Sequence, residues 1–194
     1  MSGRKIDRIF ENQIDNILID ITEILNPFYK FFYFTPNLLT FLSLILTLIG
    51  IYLFSKKYFI IGGILHFIGY YFDCADGNYA RKYNMVSDNG DKFDHISDFL
   101  KGIYLLYVIC NLNIKFKTKL FFIVISVLLI YLALIHLGCQ EKIYKKQQSS
   151  YLNFTKRYCN NESNIFYTKY VGTGTLQLVV MFMMIFINKL NNLL

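Results

Sequence analysis

The sequence has few cysteines, and none of them lies in the pattern of a zinc site. The chain contains four, namely Cys74, Cys110, Cys139 and Cys159. They form no CxxC pair and no spacing of zinc ligands, which excludes a structural zinc module. Two fall in apolar segments and two flank a polar loop, so we expect four free thiols.

The N-terminal region lacks the features of a cleavable secretory signal. The first 35 residues are charged and amphipathic, without a short apolar core followed by a small-residue cleavage site. We therefore expect membrane insertion to depend on the first long apolar segment.

Charged residues are scarce and tryptophan is absent. Of the 194 residues, 17% are charged and 55% are hydrophobic, and the mean hydropathy is +0.37. A soluble domain has roughly 45–50% apolar residues, and the excess here falls in blocks of bilayer-spanning length. The net charge of +7 comes from basic residues between these blocks. Membrane lipid headgroups are therefore the expected partners, and nucleic acid is not.

Five apolar segments predict an all-α fold, a multi-pass bundle of transmembrane helices. The segments cover residues 38–55, 58–75, 95–113, 119–138 and 171–188. Pro36 suits the first turn of the first span, where its missing N–H group is not needed. Residues 139–168 are polar and basic, and a sixth span could lie within them.

Ahead of the spans, apolar residues recur every three or four positions from Ile6 to Leu25. This spacing predicts an amphipathic helix with acidic residues, among them Asp15, on its other face, and Pro27 is the expected stop. The adjoining span favours a position on the membrane surface. We therefore divide the chain into this surface helix, within 1–35, and a transmembrane domain, 36–194.

Basic residues are unevenly distributed between the two ends of the predicted spans. With a cytoplasmic N-terminus most of them fall inside, among them Arg81, Lys82, Lys142, Lys145 and Lys146. The positive-inside rule is then met. This orientation makes the chain an integral membrane protein whose second and third spans meet the cytoplasm at a group of aspartates.

Those aspartates stand at helical spacing at the edges of two spans. Asp73 and Asp76 are three residues apart, and Asp94 and Asp98 are four apart, so each pair lies on one helix face. If the two spans are antiparallel neighbours, all four carboxylates point into one pocket. Uncompensated carboxylates in a membrane are costly, and hard oxygen ligands suit Mg²⁺, Mn²⁺ or Ca²⁺ better than zinc.

Two neighbouring residues would allow this pocket to bind phosphate. Gly77 allows a substrate to approach the backbone closely, and Arg81 offers a bidentate fork for phosphate. Together with metal-binding carboxylates, these are the parts that hold a diphosphate. A solvated acidic loop is the alternative, but loop residues have no reason to keep three- and four-residue steps. An EF-hand is excluded because Gly90 and Lys92 stand at its ligand positions.

The whole stretch resembles a known family signature. Asp73-x-x-Asp76-Gly77-x-x-Ala80-Arg81, eight residues, and then Gly90-x-x-x-Asp94-x-x-x-Asp98 is similar to the complete signature of the CDP-alcohol phosphotransferases. The segment Pro36-Asn37-Leu38-Leu39-Thr40 resembles the entry of that family into its first span. The resemblance covers residues 1–113 in order and layout.

The resemblance implies an enzyme of phospholipid synthesis with a metal-dependent mechanism. It implies that Asp73, Asp76, Asp94 and Asp98 hold one or two ions of Mg²⁺ or Mn²⁺ against the diphosphate of a CDP-alcohol. Asp98 would take the proton from the acceptor hydroxyl, whose oxygen attacks phosphorus as CMP leaves. The substrate contacts implied by position are Gly77, Arg81, Ser87, Asn37 and Thr40. A homodimer is also implied.

Two substrate classes remain open, and so does the role of His95. One branch of the family moves phosphatidyl from CDP-diacylglycerol to a small polar alcohol; the other moves phosphocholine or phosphoethanolamine to diacylglycerol. Phe93-Asp94-His95 resembles the second branch, whereas Ile96 and the chain length favour the first. His95 could assist proton transfer beside Asp98, or be a histidine on the helix surface.

Two other classes of protein compete with the enzyme. A divalent-cation transporter would also place carboxylates in spans, although Arg81 is awkward in a cation path. An inactive membrane scaffold could keep the fold, but the intact ligand set argues against it.

Overall fold

The computed structural model describes residues 2–144, 152–159 and 162–194, and the regular elements in these ranges are all helical. The predicted all-α fold is confirmed. Lys145 and Lys146, which were used in the orientation argument, lie outside the described residues. The helices are α1 (Gln13–Phe31), α2 (Pro36–Ser55), α3 (Phe59–Lys82), α4 (Asp88–Asn111), α5 (Phe116–Tyr144), α6 (Asn153–Lys156), α7 (Glu162–Thr168), α8 (Thr173–Ile185) and α9 (Ile187–Leu193), with a 3₁₀ turn at Lys169–Val171.

Three helical stretches among the described residues are long and apolar enough to cross a membrane. They are Pro36–Ser55, Phe116–Ile143 and Asn164–Ile185, and they coincide with the first, fourth and fifth predicted segments. The second and third predicted segments lie in α3 and α4, which have 24 residues each and carry the aspartates at their polar ends. A membrane helix bundle is therefore supported, while the number of spans stays a prediction.

The polar stretch 139–168 shows no sixth span in its described part. Beyond the end of α5 it contains α6 and α7, with four and seven residues. α6 is far shorter than the roughly 20 residues that a transmembrane helix needs, and most of α7 belongs to the Asn164–Ile185 stretch already matched to the fifth segment.

The predicted boundaries of the surface helix are wrong at both ends. α1 begins at Gln13 because Asn12 caps it: Asn12 Oδ1 accepts hydrogen bonds from the N–H groups of Ile14 (3.0 Å) and Asp15 (3.4 Å). Pro27 does not stop the helix, which continues to Phe31.

Lys82 helps α1 to tolerate the proline inside it. Pro27 has no N–H group, so the carbonyl of Glu23 has no partner within the helix. The Lys82 ammonium lies 3.5 Å from that carbonyl oxygen and takes the place of the missing N–H donor.

α1 buries polar residues against the bundle, contrary to the expected outer acidic face. Asp15 Oδ1 accepts a hydrogen bond from Tyr70 Oη at 2.5 Å, and Asp15 Oδ2 accepts one from the N–H of Gly174 at 3.2 Å. Asn26 Nδ2 donates to Asn78 Oδ1 at 2.9 Å. The exposed side of α1 carries apolar residues, namely Ile17, Ile21, Ile24, Phe28 and Phe31. Its position on a membrane surface stays a prediction.

α2 is the central helix for the site because both α3 and α4 pack on it. It opens with Thr35, whose Oγ1 accepts from the N–H of Leu38 at 3.2 Å, and Pro36 occupies the first turn as expected. Direct contacts between α3 and α4 are few. The three helices bring their aspartate-bearing and polar ends to the same end of the bundle.

The expectation of four free thiols is wrong for one pair. Cys139, near the end of α5, and Cys159, after α6, form a disulfide, and both are buried beside Ile165. Tertiary packing brings together two residues 20 positions apart, which no local spacing could reveal. Cys74 and Cys110 are free, as predicted.

Candidate active site

Three of the four predicted ligands form a carboxylate cluster. Asp73 in α3 and Asp94 and Asp98 in α4 each place one oxygen within 4.8 Å of the others. Asp94 Oδ1 is buried and has no hydrogen-bond partner among the described residues. Because an unsatisfied buried carboxylate oxygen is costly, this atom is a candidate ligand for a cation.

Asp76 lies outside this cluster and makes a different contact. It is 7% exposed, and its Oδ2 accepts a hydrogen bond from Thr40 Oγ1 at 2.5 Å. The hydroxyl also lies 3.2 Å from the carbonyl oxygen of Pro36. Thr40, predicted as a substrate contact, therefore holds a predicted metal ligand in this structure.

The cluster includes two side chains that the sequence analysis did not assign to the site. Lys101 Nζ lies 2.6 Å from Asp73 Oδ1, 2.7 Å from Asp98 Oδ1 and 3.1 Å from Ser43 Oγ. Ser43 Oγ also lies 3.2 Å from Asp73 Oδ1. Lys101 follows Asp98 by three residues, so helical spacing contained a signal for it. Ser43 lies on α2, and no local spacing links it to the aspartates.

Gly77 and Arg81 are in contact one turn further along α3. A side-chain carbon at Gly77 would lie 3.0 Å from Arg81 Nη1 and 3.6 Å from Nη2. Arg81 Nε donates to the carbonyl oxygen of Gly3 at 2.8 Å. The N-terminal segment thus fixes the guanidinium over the surface of Gly77, a contact that the sequence does not indicate.

Asn37 and Ser87 meet at the start of α4. Ser87 caps that helix, with its Oγ accepting from the N–H of Gly90 at 3.1 Å. A side-chain carbon at Gly90 would lie 3.1 Å from both Ser87 Oγ and Asn37 Oδ1. The structure therefore groups these predicted substrate contacts around the glycine of the motif.

His95 lies on the outer side of α4. Its Nε2 is 3.6 Å from Asp91 Oδ2, and about half of each side chain is exposed. Its neighbour Asp98 is also half-exposed, with 54% of the side chain accessible. The structure leaves the catalytic role of His95 as a prediction.

The side chains in this region fit a divalent cation of the Mg²⁺ class. They supply only oxygen ligands, and one of these, Asp94 Oδ1, is buried and unpaired among the described residues. Carboxylate oxygens are the ligands preferred by such hard cations. Asp73, Asp94 and Asp98 would hold the ion, with Asp76 beside them.

The profile of the CDP-alcohol phosphatidyltransferase family matches residues 33–194. The chain belongs to this family. The match spans α2 to α9 and so includes every aspartate discussed above. A search among curated proteins returned no significant match to the chain.

Family membership confirms several expectations in their general form. CDP-alcohol phosphatidyltransferases are phosphotransferases, so the chain is an enzyme of this class. The family supports phosphatidyl transfer in phospholipid synthesis, with a CDP-alcohol and an alcohol as substrates, and it uses divalent metal ions. Together with the apolar helices, it indicates a membrane protein.

Proposed function

We propose that this phosphotransferase moves the phosphatidyl group of CDP-diacylglycerol to the hydroxyl of a small polar alcohol, with release of CMP. The observation that carries the proposal is the cluster of Asp73, Asp94 and Asp98 at the same end of the bundle as Arg81 and Gly77. A carboxylate cluster at the same end of the bundle as a guanidinium supplies what a diphosphate needs.

Asp98 is the proposed base. Its half-exposed carboxylate can be reached by an acceptor alcohol, whereas Asp73 and Asp76 are more buried. The acceptor O–H bond breaks as Asp98 takes the proton, and the oxygen forms a bond to the phosphorus that carries the diacylglycerol group. The bond from that phosphorus to the oxygen of CMP breaks, and CMP leaves with its electron pair.

The remaining site residues bind and orient the CDP-alcohol. Arg81 donates to phosphate oxygens while Gly77 lets the diphosphate approach α3, and Asn37, Thr40 and Ser87 contact the nucleotide. Mg²⁺ or Mn²⁺ held by Asp73, Asp94 and Asp98 would supply positive charge against the diphosphate. Asp76, which Thr40 contacts in this structure, is the proposed fourth ligand. His95 is a second candidate for proton transfer.

A choline- or ethanolamine-type phosphotransferase is the second candidate function. The order Phe93-Asp94-His95 favours it, because it resembles the Phe-Asp-His-Gly that this branch often carries, although Ile96 stands in place of the glycine. In that case the acceptor is diacylglycerol, and the CDP-alcohol carries the small group.

The test is CMP release by membranes that contain this protein. Each assay combines Mg²⁺ or Mn²⁺ with labelled CDP-diacylglycerol, CDP-choline or CDP-ethanolamine and a panel of acceptor alcohols. We expect release with CDP-diacylglycerol, and none from membranes carrying Asp94→Asn. Release with a CDP-aminoalcohol and diacylglycerol would establish the second candidate, and no release with any pair would refute both.

We further propose that the site faces the cytoplasm, that the N-terminal region lies on the membrane surface, and that the protein is a homodimer. The distribution of basic residues favours the orientation. The Cys139–Cys159 disulfide argues for the reverse orientation. It lies at the same end of the bundle as the aspartates, and cytosolic thiols are kept reduced.

Labelling by a membrane-impermeant maleimide decides the orientation. In a background with Cys74 and Cys110 replaced by serine, Val86→Cys lies in the loop before α4 and Asn113→Cys in the loop after it. In intact cells we expect only Asn113→Cys to be labelled. Labelling of Val86→Cys alone would reverse the orientation. Native mass spectrometry would test the dimer, with an expected mass of twice 22.9 kDa.

A further inference from the structure

The ammonium group of Lys101 is fully coordinated by oxygens of the site. A lysine ammonium has three N–H donors, and three oxygens surround this one: Asp73 Oδ1, Asp98 Oδ1 and Ser43 Oγ, at 2.6, 2.7 and 3.1 Å. The side chain is only 12% exposed. It belongs to the interior of the site and not to its rim.

The position of Lys101 follows from the arrangement of three helices. Lys101 and Asp98 are three residues apart and share one face of α4. Asp73 reaches the ammonium from α3, and Ser43 reaches it from α2. The lysine therefore links helices whose direct α3–α4 contacts are otherwise few.

Lys101 also occupies the part of the site where a divalent ion is expected. Two of the three oxygens in the carboxylate cluster belong to residues that Lys101 already contacts. A unit positive charge so close to a divalent cation repels it, and the repulsion is strong where water is largely excluded.

We propose that Lys101 is a built-in cation of the aspartate site, which holds Asp73 and Asp98 together in the metal-free protein and competes with the divalent ion for both carboxylates. The proposal rests on the proposed function only for the statement that a divalent ion binds here. It makes Lys101 a positioning residue that sets metal affinity.

Two measurable properties should then change in opposite directions when the charge is removed. In Lys101→Met, which keeps most of the side-chain length, Asp73 and Asp98 repel each other without compensation, so the metal-free protein melts at a lower temperature. The divalent ion no longer has a competitor, so we expect Mn²⁺ to bind at least about tenfold more tightly. If Lys101 were only structural, Lys101→Met would lower both the melting temperature and the Mn²⁺ affinity.

Two control variants separate this effect from a general change in charge. Lys101→Arg keeps the positive charge, and we expect its Mn²⁺ affinity to remain within about threefold of the wild type. Lys92→Gln removes an exposed lysine from the same helix, and we expect an equally small change because surface charges are screened. Lys101→Gln is the substitute if Lys101→Met does not fold.

The experiment is a titration of detergent-purified, chelator-treated protein with Mn²⁺, with free Mn²⁺ followed by electron paramagnetic resonance. Melting temperatures are measured in EDTA and in saturating Mn²⁺. Tighter binding with a lower metal-free melting temperature in Lys101→Met supports the proposal. Unchanged or weaker Mn²⁺ binding in both Lys101→Met and Lys101→Gln overturns it.

Failure of this proposal and failure of the proposed function can be told apart. If CMP is released by the wild type but Mn²⁺ affinity does not rise in Lys101→Met, only the role of Lys101 is refuted. If Mn²⁺ affinity rises but no CDP-alcohol yields CMP, the role of Lys101 stands and the proposed reaction is refuted.

Discussion

At the scale of single residues, Asp98 is the side chain on which the proposed chemistry depends most. Replacing it with asparagine removes the base but keeps a side chain of the same shape. We expect Asp98→Asn to bind the CDP-alcohol and to lose about 10²–10⁴-fold in turnover. The measurements are CMP release and equilibrium binding of the labelled CDP-alcohol.

His95→Gln is the matched variant for this test. Because His95 contacts Asp91 on the exposed side of α4, we expect it to lose less than about tenfold in turnover. Full activity in Asp98→Asn together with a large loss in His95→Gln would transfer the role of base to His95.

Glu23 joins the N-terminal segment to the end of α3. Its Oε1 accepts hydrogen bonds from the N–H of Gly3 at 2.7 Å and from Asn78 Nδ2 at 3.2 Å, and its Oε2 pairs with Lys82 Nζ at 2.5 Å. Partial burial raises the pKa of Glu23, but these bonds outweigh it and lower the pKa from 4.5 to about 2. Since Gly3 also binds Arg81, this carboxylate supports the guanidinium indirectly.

The lowered pKa predicts a specific acid sensitivity. Because the folded-state pKa is below the ordinary value, ionised Glu23 stabilises the fold above pH 4.5. That contribution is lost as the pH falls from 4.5 towards about 2. We expect the melting temperature of Glu23→Gln to fall less steeply than that of the wild type over this range. Parallel curves would contradict the assignment.

The sequence predicted which aspartates matter but not all of their partners. Helical spacing was sufficient to place Asp94 and Asp98 on one face of α4, but their meeting with Asp73 of α3 depended on how the two helices are arranged. Ser43 lies on another helix, and its part in the site depends on how α2 meets α3 and α4. The contact between Gly3 and Arg81 spans 78 residues, beyond the reach of any local pattern.

At the scale of helices, α2 and α3 approach each other through glycines. A side-chain carbon at Gly50 would lie 2.8 Å from the carbonyl oxygen of Gly62 and 2.8 Å from the N–H nitrogen of His66. A carbon at Gly62 would meet the Gly50 carbonyl oxygen at the same distance. These obstacles are backbone atoms, which cannot move aside as a side chain can. The close approach lets Thr40 and Ser43 reach the aspartates of α3.

Gly50→Ala should therefore separate α2 from α3. We expect a loss of about 1–3 kcal/mol in stability, together with weaker metal binding, because Ser43 and Thr40 move away from Asp73 and Asp76. Gly102→Ala is the control: nothing lies within 4 Å of a carbon at Gly102, so alanine should be neutral or stabilise by about 0.5–1 kcal/mol. Thermal melting in detergent measures both. Equal effects in the two variants would contradict this account of the helix contact.

The surface helix shows why periodicity alone gave incomplete boundaries. The apolar repeat continues through residues 6–10, but Asn12 provides a cap and the helix begins after it. The buried face of α1 was also assigned incorrectly, because Asp15 and Asn26 find partners on other helices. Tyr70, Gly174 and Asn78 satisfy these polar side chains, and their proximity is a property of the folded bundle.

At the scale of the whole molecule, chain order and hydropathy predicted more than local chemistry did. The all-α class and the separation of the aspartates into two consecutive helices followed from the positions of the apolar segments. The region after α5 could not be predicted in this way, because its packing depends on a few long-range contacts. Lys156 Nζ pairs with Glu141 Oε2 at 3.1 Å, and His136 Nδ1 lies 3.0 Å from Thr168 Oγ1.

The disulfide is the covalent part of that packing, and its removal gives the last prediction. Cys139 and Cys159 are 20 positions apart, and closing a loop of about this size stabilises a fold by about 3 kcal/mol through the unfolded state. We expect a reductant to lower the melting temperature of the purified wild type but not of Cys159→Ser, which should melt near the reduced wild type.

Loss of the disulfide should also affect the N-terminal segment, because α5 contacts Glu11 through Gln140. We expect faster hydrogen exchange at residues 2–12 in Cys159→Ser than in the wild type. Unchanged exchange there would show that the N-terminal segment holds its position without the disulfide.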